Sequence, residues 1–354
     1  MISLNHMNRF FLVLLALVPI AIGAHFLGVS PTVVFFLSAL AIIPLAKFIG
    51  ESVEELALRT SPAIGGLLSS TFGNATELII GFFALRAGLL EVVKASITGS
   101  IIGNLLLVLG LAMFTGGWKR EKQIFNKTAV LAAGSTLFIA VIALVMPAIF
   151  LQTAEGTALP VIENLSLLVS ALLLLVYGAS LFFSLHTHKH LYMQEMGKYE
   201  PRWSVARSSL TLLAATLAVA WVSEILVGSI TPLVATLGWS QLFIGVIFIA
   251  IIGNAAENLS AVTVAVKNRM DLSLQIAIGS ATQIAMVVAP LLVLAGFFIG
   301  HPMDLVFHNF ELVSIVLSVL IVNLIVADGE SNWFEGVQLL AAYAIIGIAF
   351  FFHP

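Results

Sequence analysis

Apolar residues along this chain come in runs of about 20, the length an α-helix needs to cross a hydrocarbon layer roughly 30 Å thick. Eleven such runs can be drawn, at residues 10–28, 32–58, 63–86, 95–115, 128–150, 162–184, 206–229, 241–265, 273–298, 309–327 and 334–352. Short links rich in Gly, Pro, Ser or charge separate them, among them Gly28-Val29-Ser30-Pro31, Gly116 to Lys127, Gln152 to Asn164, His186 to Ser204, Thr231 to Gln241 and Lys267 to Leu272. All read as turns, so the pattern predicts an all-α polytopic membrane protein with 11 transmembrane helices. The first run follows Arg9 and lacks a small-residue cleavage site behind it, so it is taken as a mature span and not a signal peptide.

The positive charges test the span count. Cytoplasmic loops carry an excess of Lys and Arg. With eleven spans and a cytoplasmic N-terminus, Arg9, Lys47, Arg59, Lys119, Arg120, Lys122, Lys127, Lys189, Lys198, Arg202, Arg207, Lys267 and Arg269 fall inside. Only Arg86 and Lys94 fall outside, so thirteen of fifteen positive charges share one face. Removing one span would scatter the later clusters over both faces. The C-terminus is accordingly expected outside.

An internal repeat organises the chain further. Ile64-Gly65-Gly66-Leu67 followed by Gly73-Asn74-Ala75-Thr76-Glu77 is matched 180 residues later by Ile244-Gly245-Val246-Ile247 and Gly253-Asn254-Ala255-Ala256-Glu257. The same offset aligns Gly99-Ser100 with Gly279-Ser280, and Glu54-Glu55-Leu56 resembles Ser223-Glu224-Ile225 at a shorter one. The expected layout is an N-terminal helix (1–28), a first five-helix repeat (32–184), a cytoplasmic linker (185–205) and a second five-helix repeat (206–352). Five is odd, so the second copy runs through the membrane inverted. Inverted repeats place a substrate site near the midplane where the copies meet, the architecture of secondary transporters.

A carboxylate at bilayer depth costs at least about 2.5–3.5 kcal/mol, so one at the matching place of each repeat requires a reason. Glu77 and Glu257 are those residues. Asn74 and Asn254 stand three residues before them and share their helix face. Gly73 and Gly253 permit close helix approach or a local break that frees backbone carbonyls. Ser100, Asn104, Ser280, Thr282 and Gln283 can complete an oxygen-lined pocket. Two carboxylates and neutral oxygens suit Ca²⁺, which takes six to eight oxygen ligands, better than Mg²⁺ or Zn²⁺. Two facing glutamates in a low-dielectric site cannot both stay charged at low cost, so protons take the ion's place when it leaves. About two protons per Ca²⁺ are expected on that argument. Glu55 and Glu224, nearer opposite ends of their spans, are candidates for the two access paths.

Composition agrees and excludes little else: 60% hydrophobic and 9% charged residues place the chain in a bilayer. A net charge of −3 gives no sign of a nucleic-acid partner, and the lack of cysteine removes disulfide and thiolate chemistry. No His-Glu-x-x-His or Gly-x-Ser-x-Gly motif speaks for an intramembrane enzyme. One buried carboxylate per repeat suits an occluding site better than an open channel.

The duplicated signatures, Gly73-Asn74-Ala75-Thr76-Glu77 with Phe83-Ala84-Leu85 and Gly253-Asn254-Ala255-Ala256-Glu257 with Ala261 to Ala265, resemble those of the CAX-type cation/proton exchangers of the Ca²⁺/cation antiporter superfamily. Gly99-Ser100 to Asn104 and on to Gly110, with Ile278-Gly279-Ser280-Ala281-Thr282-Gln283, extend the resemblance. It implies Ca²⁺/H⁺ antiport with Glu77 and Glu257 as central ion ligands and proton acceptors. Asn74, Asn254, Ser100, Asn104, Ser280 and Gln283 are implied as polar neighbours of the ion. No cofactor is implied beyond Ca²⁺ as transported ion, and the partners are Ca²⁺, H⁺ and the lipid bilayer, with homo-oligomerisation left open. The nearest alternative is a Na⁺/Ca²⁺ exchanger, or Na⁺/H⁺ or K⁺/H⁺ exchange on the same scaffold. The sodium branch carries Gly-Thr-Ser-x-x-Glu in place of the Gly-Asn-Ala-x-Glu found here. The acidic stretch common in the family between spans 6 and 7 is replaced by His186-Thr187-His188-Lys189-His190, read as a solvated loop. A prokaryotic plasma membrane is the expected location.

Overall fold

Helices account for nearly all of the structure, a computed structural model that describes residues 10–60, 62–154, 156, 158–187 and 201–353. Arg9, His188, Lys189, His190 and Lys198, named above, lie outside the described residues. In chain order the helices are α1 (Phe10–Phe26), α2 (Pro31–Ala57), α3 (Pro62–Phe72), α4 (Ala75–Arg86), α5 (Leu90–Gly117), α6 (Lys127–Thr153) and α7 (Leu159–Thr187). They continue as α8 (Val205–Leu237), α9 (Gln241–Gly253), α10 (Ala255–Val266), α11 (Met270–Ile299), α12 (Asn309–Ile325) and α13 (Trp333–Phe352). Two two-residue strands, β1 (Gln123–Ile124) and β2 (Glu330–Ser331), pair antiparallel and tie the α5–α6 link to the α12–α13 link.

The helix starts follow from the sequence. Asn126, Ser204 and Ser240 each cap an N-terminus by accepting a backbone N–H, those of Ala129, Arg207 and Phe243. Pro31 occupies the first position of α2, where its missing N–H costs nothing. Gly238 (φ 69°) and Gly300 (φ 77°) end α8 and α11 in the left-handed conformation that glycine adopts without a Cβ clash.

By length and composition, seven of these helices can cross a membrane: α2, α5, α6, α7, α8, α11 and α13. The bent pair α9 and α10 makes an eighth if it is one span. The remaining apolar helices, α1 and α12, have 17 residues each. One expectation needs correcting. The stretch Thr231 to Gln241, read as a turn, is helical from Ile230 to Leu237. Pro232 lies within the first turn of that segment, where a proline is tolerated, so it does not break the helix.

The helices share one apolar core. α2 packs lengthwise on α8, and α5 is held between α9, α10 and α13. In α5 78% of the apolar window is enclosed, against 17% in α7 and α13, so α5 is the central post and α7 and α13 are peripheral. Small residues allow the closest approaches. A Cβ on Gly99 of α5 would overlap the Val246 carbonyl of α9, and one on Gly245 would lie 2.5 Å from the Ala95 methyl. Gly99 therefore serves packing. A Cβ on its counterpart, Gly279, meets nothing within 4 Å.

Candidate functional site

Two helix breaks build the site. α3 ends at Phe72 and α4 begins at Ala75, while α9 and α10 meet at Asn254 with a bend of 61°. Gly73-Asn74 and Gly253-Asn254 are the hinge residues, and Glu77 and Glu257 fall in the first turns of α4 and α10. Positive helix ends therefore face each carboxylate, and α3 and α9 direct carbonyl ends at the same region. The breaks interlock. A Cβ on Gly253 would sit 3.0 Å from Glu77 Cγ, and one on Gly73 would sit 3.1 Å from Glu257 Oε1. Each glutamate thus rests against the glycine of the other broken helix, in space that no larger residue leaves.

The two posts that flank the breaks supply the neutral oxygens. α5 turns π-helical over Gly103–Val108 and α11 over Ile284–Val288, and such turns often mark functional sites because they shift side chains off the regular helical face. Asn104 lies in the first of them and Gln283 immediately precedes the second. Asn254 Nδ2 donates to Ser100 Oγ (2.8 Å) and to the Ala250 carbonyl (2.8 Å). Asn104 Nδ2 donates to Asn254 Oδ1 (3.1 Å) and Ser280 Oγ (2.9 Å). Ser280 Oγ in turn donates to Asn74 Oδ1 (3.2 Å), and Asn74 Nδ2 donates to Gln283 Oε1 (2.7 Å). Six of the seven neutral polar residues singled out in the sequence thus join one hydrogen-bonded network that crosses between the halves of the chain. Thr282 does not join it, because its hydroxyl donates to Ile278 O of its own helix.

The carboxylates are far less completely partnered. Both oxygens of Glu77 and Oε2 of Glu257 are buried without a hydrogen-bond partner. A buried polar group left unpaired is costly, and a charged one far more so, so these oxygens fit a cation or protons as their counterpart. Among the described residues no three His, Cys, Asp or Glu side chains converge. The donor set is therefore two carboxylates with amide and hydroxyl oxygens, hard ligands for a hard cation. Glu77 and Ser100 also line a small cavity with Ser96, Ile284, Val288 and Leu292.

The remaining sequence candidates lie elsewhere. Glu55 Oε2 accepts the backbone N–H groups of Arg202 (2.7 Å) and Trp203 (2.9 Å), and Arg59 donates to the Trp203 carbonyl. Glu224 is exposed and 4.0 Å from Arg86. Neither carboxylate hydrogen-bonds to the network. Asp271 accepts the Asn126 N–H, Glu330 pairs with Lys122, and Glu335 caps α13. His186 closes α7 in a π-helical turn.

Two features escaped the sequence reading. Glu311, at the start of α12, is fully buried and accepts the Thr98 hydroxyl at 2.9 Å. Its signal was present as an acidic residue three positions after His308, the spacing of a capping box, but the burial was not. Gln123, 2% exposed, donates to the Ala265 carbonyl and to Asn268 Oδ1, both at 3.0 Å. With Arg120, which donates to Gly116 O and Val266 O, it fastens the C-terminal end of the half-helix bearing Glu257.

Comparison with known proteins bears on what this site belongs to. The family model described as sodium/calcium exchanger protein matches residues 30–186 and 207–352. A protein named Ca²⁺/H⁺ antiporter from Synechocystis sp. is 49% identical, with 98% of each chain covered. The Ca²⁺/H⁺ antiporter ChaA of Bacillus subtilis is 46% identical, with 98% of this chain and 99% of that one covered. Among solved structures, native YfkE superposes with a TM-score of 0.87 at 42% identity, over 98% of this chain and all of that one. An H⁺/Ca²⁺ exchanger CAX structure, 14% identical over 97% of this chain and 92% of that one, shares the fold with a TM-score of 0.73. The chain belongs to the sodium/calcium exchanger protein family.

Proposed function

We propose that this protein is a secondary antiporter that exchanges Ca²⁺ for H⁺ at the site between the two broken helices, with Glu77 and Glu257 as ion ligands and proton acceptors. The observation that carries the reading is the pair of inward-facing carboxylates, one from each half of the chain, of which both oxygens of Glu77 and Oε2 of Glu257 are buried without a hydrogen-bond partner. Relatives named as Ca²⁺/H⁺ antiporters at 46–49% identity over 98% of the chain support it.

The chemistry is competition for one negative charge pair. With both carboxylates ionised the site carries two charges in a low-dielectric surround, an expensive state. One Ca²⁺ neutralises them, and so do two protons. Asn74, Asn254, Ser100, Asn104, Ser280 and Gln283 supply the neutral oxygens, rotating out of their mutual hydrogen bonds to do so. Because the unneutralised site is disfavoured, it reorients across the membrane loaded with either cargo, and downhill proton entry drives Ca²⁺ out. About two protons per Ca²⁺ follow from this charge balance.

The architecture proposed with it has eleven spans in two inverted five-helix repeats after α1. α1 and α12 cross, and α3 with α4 forms one broken span as α9 with α10 does. Two comparable stretches matched by the family model, and matching polar positions 180 residues apart, support the repeat. The charge distribution supports a cytoplasmic N-terminus and an external C-terminus, in a plasma membrane. Glu55 and Glu224 remain proposed access residues, at opposite ends of the packed pair α2 and α8.

Uptake of ⁴⁵Ca²⁺ into sealed vesicles under an imposed pH gradient, with and without Na⁺, tests the reading. Uptake is expected to follow the proton gradient and to be indifferent to Na⁺. Strict dependence on Na⁺ would replace protons with sodium as the coupling ion.

A further inference from the structure

Among the described residues, one more carboxylate besides those of the site glutamates lies fully inside the helical body. Glu311 is 0% exposed. Its Oε2 accepts the His308 N–H (2.9 Å) at the start of α12, and its Oε1 accepts the Thr98 hydroxyl of α5 (2.9 Å). The first bond is a capping box, which does not require burial. α13 begins with the same device, Asn332 and Glu335, and Glu335 is only half-buried with its bonds inside its own turn. An intramembrane carboxylate reaching a second helix calls for a function of its own.

Thr98 is itself fully buried, and its neighbours define what the contact does. Gly99 backs directly onto the Val246 carbonyl of α9, and Ser100 accepts from Asn254. One turn earlier, Lys94 Nζ donates to Asp304 Oδ1 (2.5 Å) and to the Val306 carbonyl (2.8 Å). The first half of α5 is thus gripped by α9 on one side and by α12 with its leading loop on the other. In the second half of the chain the residue 180 positions after Thr98 is Ile278, which has no hydroxyl to offer, and Gly279 beside it has open space. The tether exists in one half only.

We propose that Glu311 is a positioning residue: through Thr98 it holds α5 against α9 and keeps the site closed from the membrane face that carries Lys94, Asp304 and His308. That face opens only when the Thr98–Glu311 hydrogen bond breaks, so the bond sets how often the site is reached from there. The proposal rests on the antiport reading, which requires a site reached from two faces in turn.

The chain contains no cysteine, so Ser96→Cys supplies a single thiol in the lining of the cavity beside Glu77. The full chain is reconstituted in sealed vesicles, and a membrane-impermeant thiol reagent is added at the face in question. Thr98→Val preserves shape and leaves the α12 cap intact while removing the hydroxyl. Labelling in that background is expected to be roughly ten- to a hundredfold faster, the equivalent of one hydrogen bond to a charged group. Glu311→Gln keeps an acceptor for His308 and offers a donor to Thr98, so it is expected to label within about threefold of the parent. Unchanged labelling in Thr98→Val, or Glu311→Gln labelling as fast as Thr98→Val, overturns the proposal. Labelling is read without transport, so failure of ⁴⁵Ca²⁺ flux in the parent chain would strike the antiport reading and not the tether.

Discussion

Gly253 is the position at which a single methyl group should reveal the ion site. A Cβ there would lie 3.0 Å from Glu77 Cγ, 3.3 Å from Cδ and 3.4 Å from Oε1. Ordinary carbon contacts are about 3.5–4.0 Å, so the Glu77 side chain must retreat by roughly 0.5 Å. A Ca²⁺ ion accepts oxygens only between about 2.3 and 2.6 Å, a tolerance smaller than that displacement. Moving one carboxylate charge from about 2.4 to about 3.0 Å from a divalent ion, at an effective dielectric constant near 20, removes about 2–3 kcal/mol. Gly253→Ala should therefore raise the half-saturating Ca²⁺ concentration about 30- to 150-fold in a ⁴⁵Ca²⁺ uptake assay. Gly279→Ala is the control, because its Cβ meets nothing within 4 Å. It should leave uptake unchanged and, as a glycine-to-alanine change inside a helix, stabilise the protein by about 0.5–1 kcal/mol. Wild-type Ca²⁺ dependence in Gly253→Ala, or equal damage in Gly279→Ala, would refute the placement of Glu77 at the ion.

Other residues give sharper contrasts with less arithmetic. Ser280→Ala withdraws the hydroxyl that links Asn104 to Asn74 and should weaken Ca²⁺ uptake several-fold, about 1 kcal/mol, whereas Thr282→Val, whose hydroxyl serves only its own helix, should transport normally. Gln123→Ala removes two hydrogen bonds, one to the Ala265 carbonyl, which keeps the Asn268 N–H, and one to Asn268 Oδ1, which should cost about 1–3 kcal/mol and lower the thermal midpoint in detergent. The exposed Lys122 has its pKa raised by the hydrogen bond and charge of Glu330. That contact is therefore fully present below the ordinary lysine range and lost only as pH rises above it, so Lys122→Met should leave the pH profile of transport between pH 6 and 8 unaltered, about the range of a neutral assay.

Much of the site was legible in the sequence because duplication made it so. A lone Asn-x-x-Glu pattern says little, but Asn74/Glu77 and Asn254/Glu257 in register, with Ser100 and Ser280 following at the same offset, restrict each residue by its counterpart. The four neutral residues named on that basis entered one network with Asn104 and Gln283, while Thr282, named beside them, stayed out of it. Hydropathy located the helices to within several residues, as with the run at 128–150 against Lys127–Thr153. Hydropathy cannot register a bend, and the run at 241–265 reads straight through the 61° turn at Asn254. Burial of Glu311 was hidden for a different reason. It depends on where α12 docks against Thr98, a contact across 213 residues of sequence that no local pattern encodes. The grip of Gln123 on α10 is of the same kind, and so is the unequal packing of Gly99, which backs onto the Val246 carbonyl, and Gly279, which meets open space.

Proton release on Ca²⁺ binding addresses the mechanism without the complications of flux. Purified protein in a weakly buffered solution near neutral pH is titrated with CaCl₂ while a pH indicator counts protons. If Ca²⁺ and protons compete for Glu77 and Glu257, about two protons should leave per ion bound, and Glu77→Gln and Glu257→Gln should each abolish both binding and release. Ca²⁺ binding that releases no protons, or release that persists in either variant, would contradict exchange at this carboxylate pair.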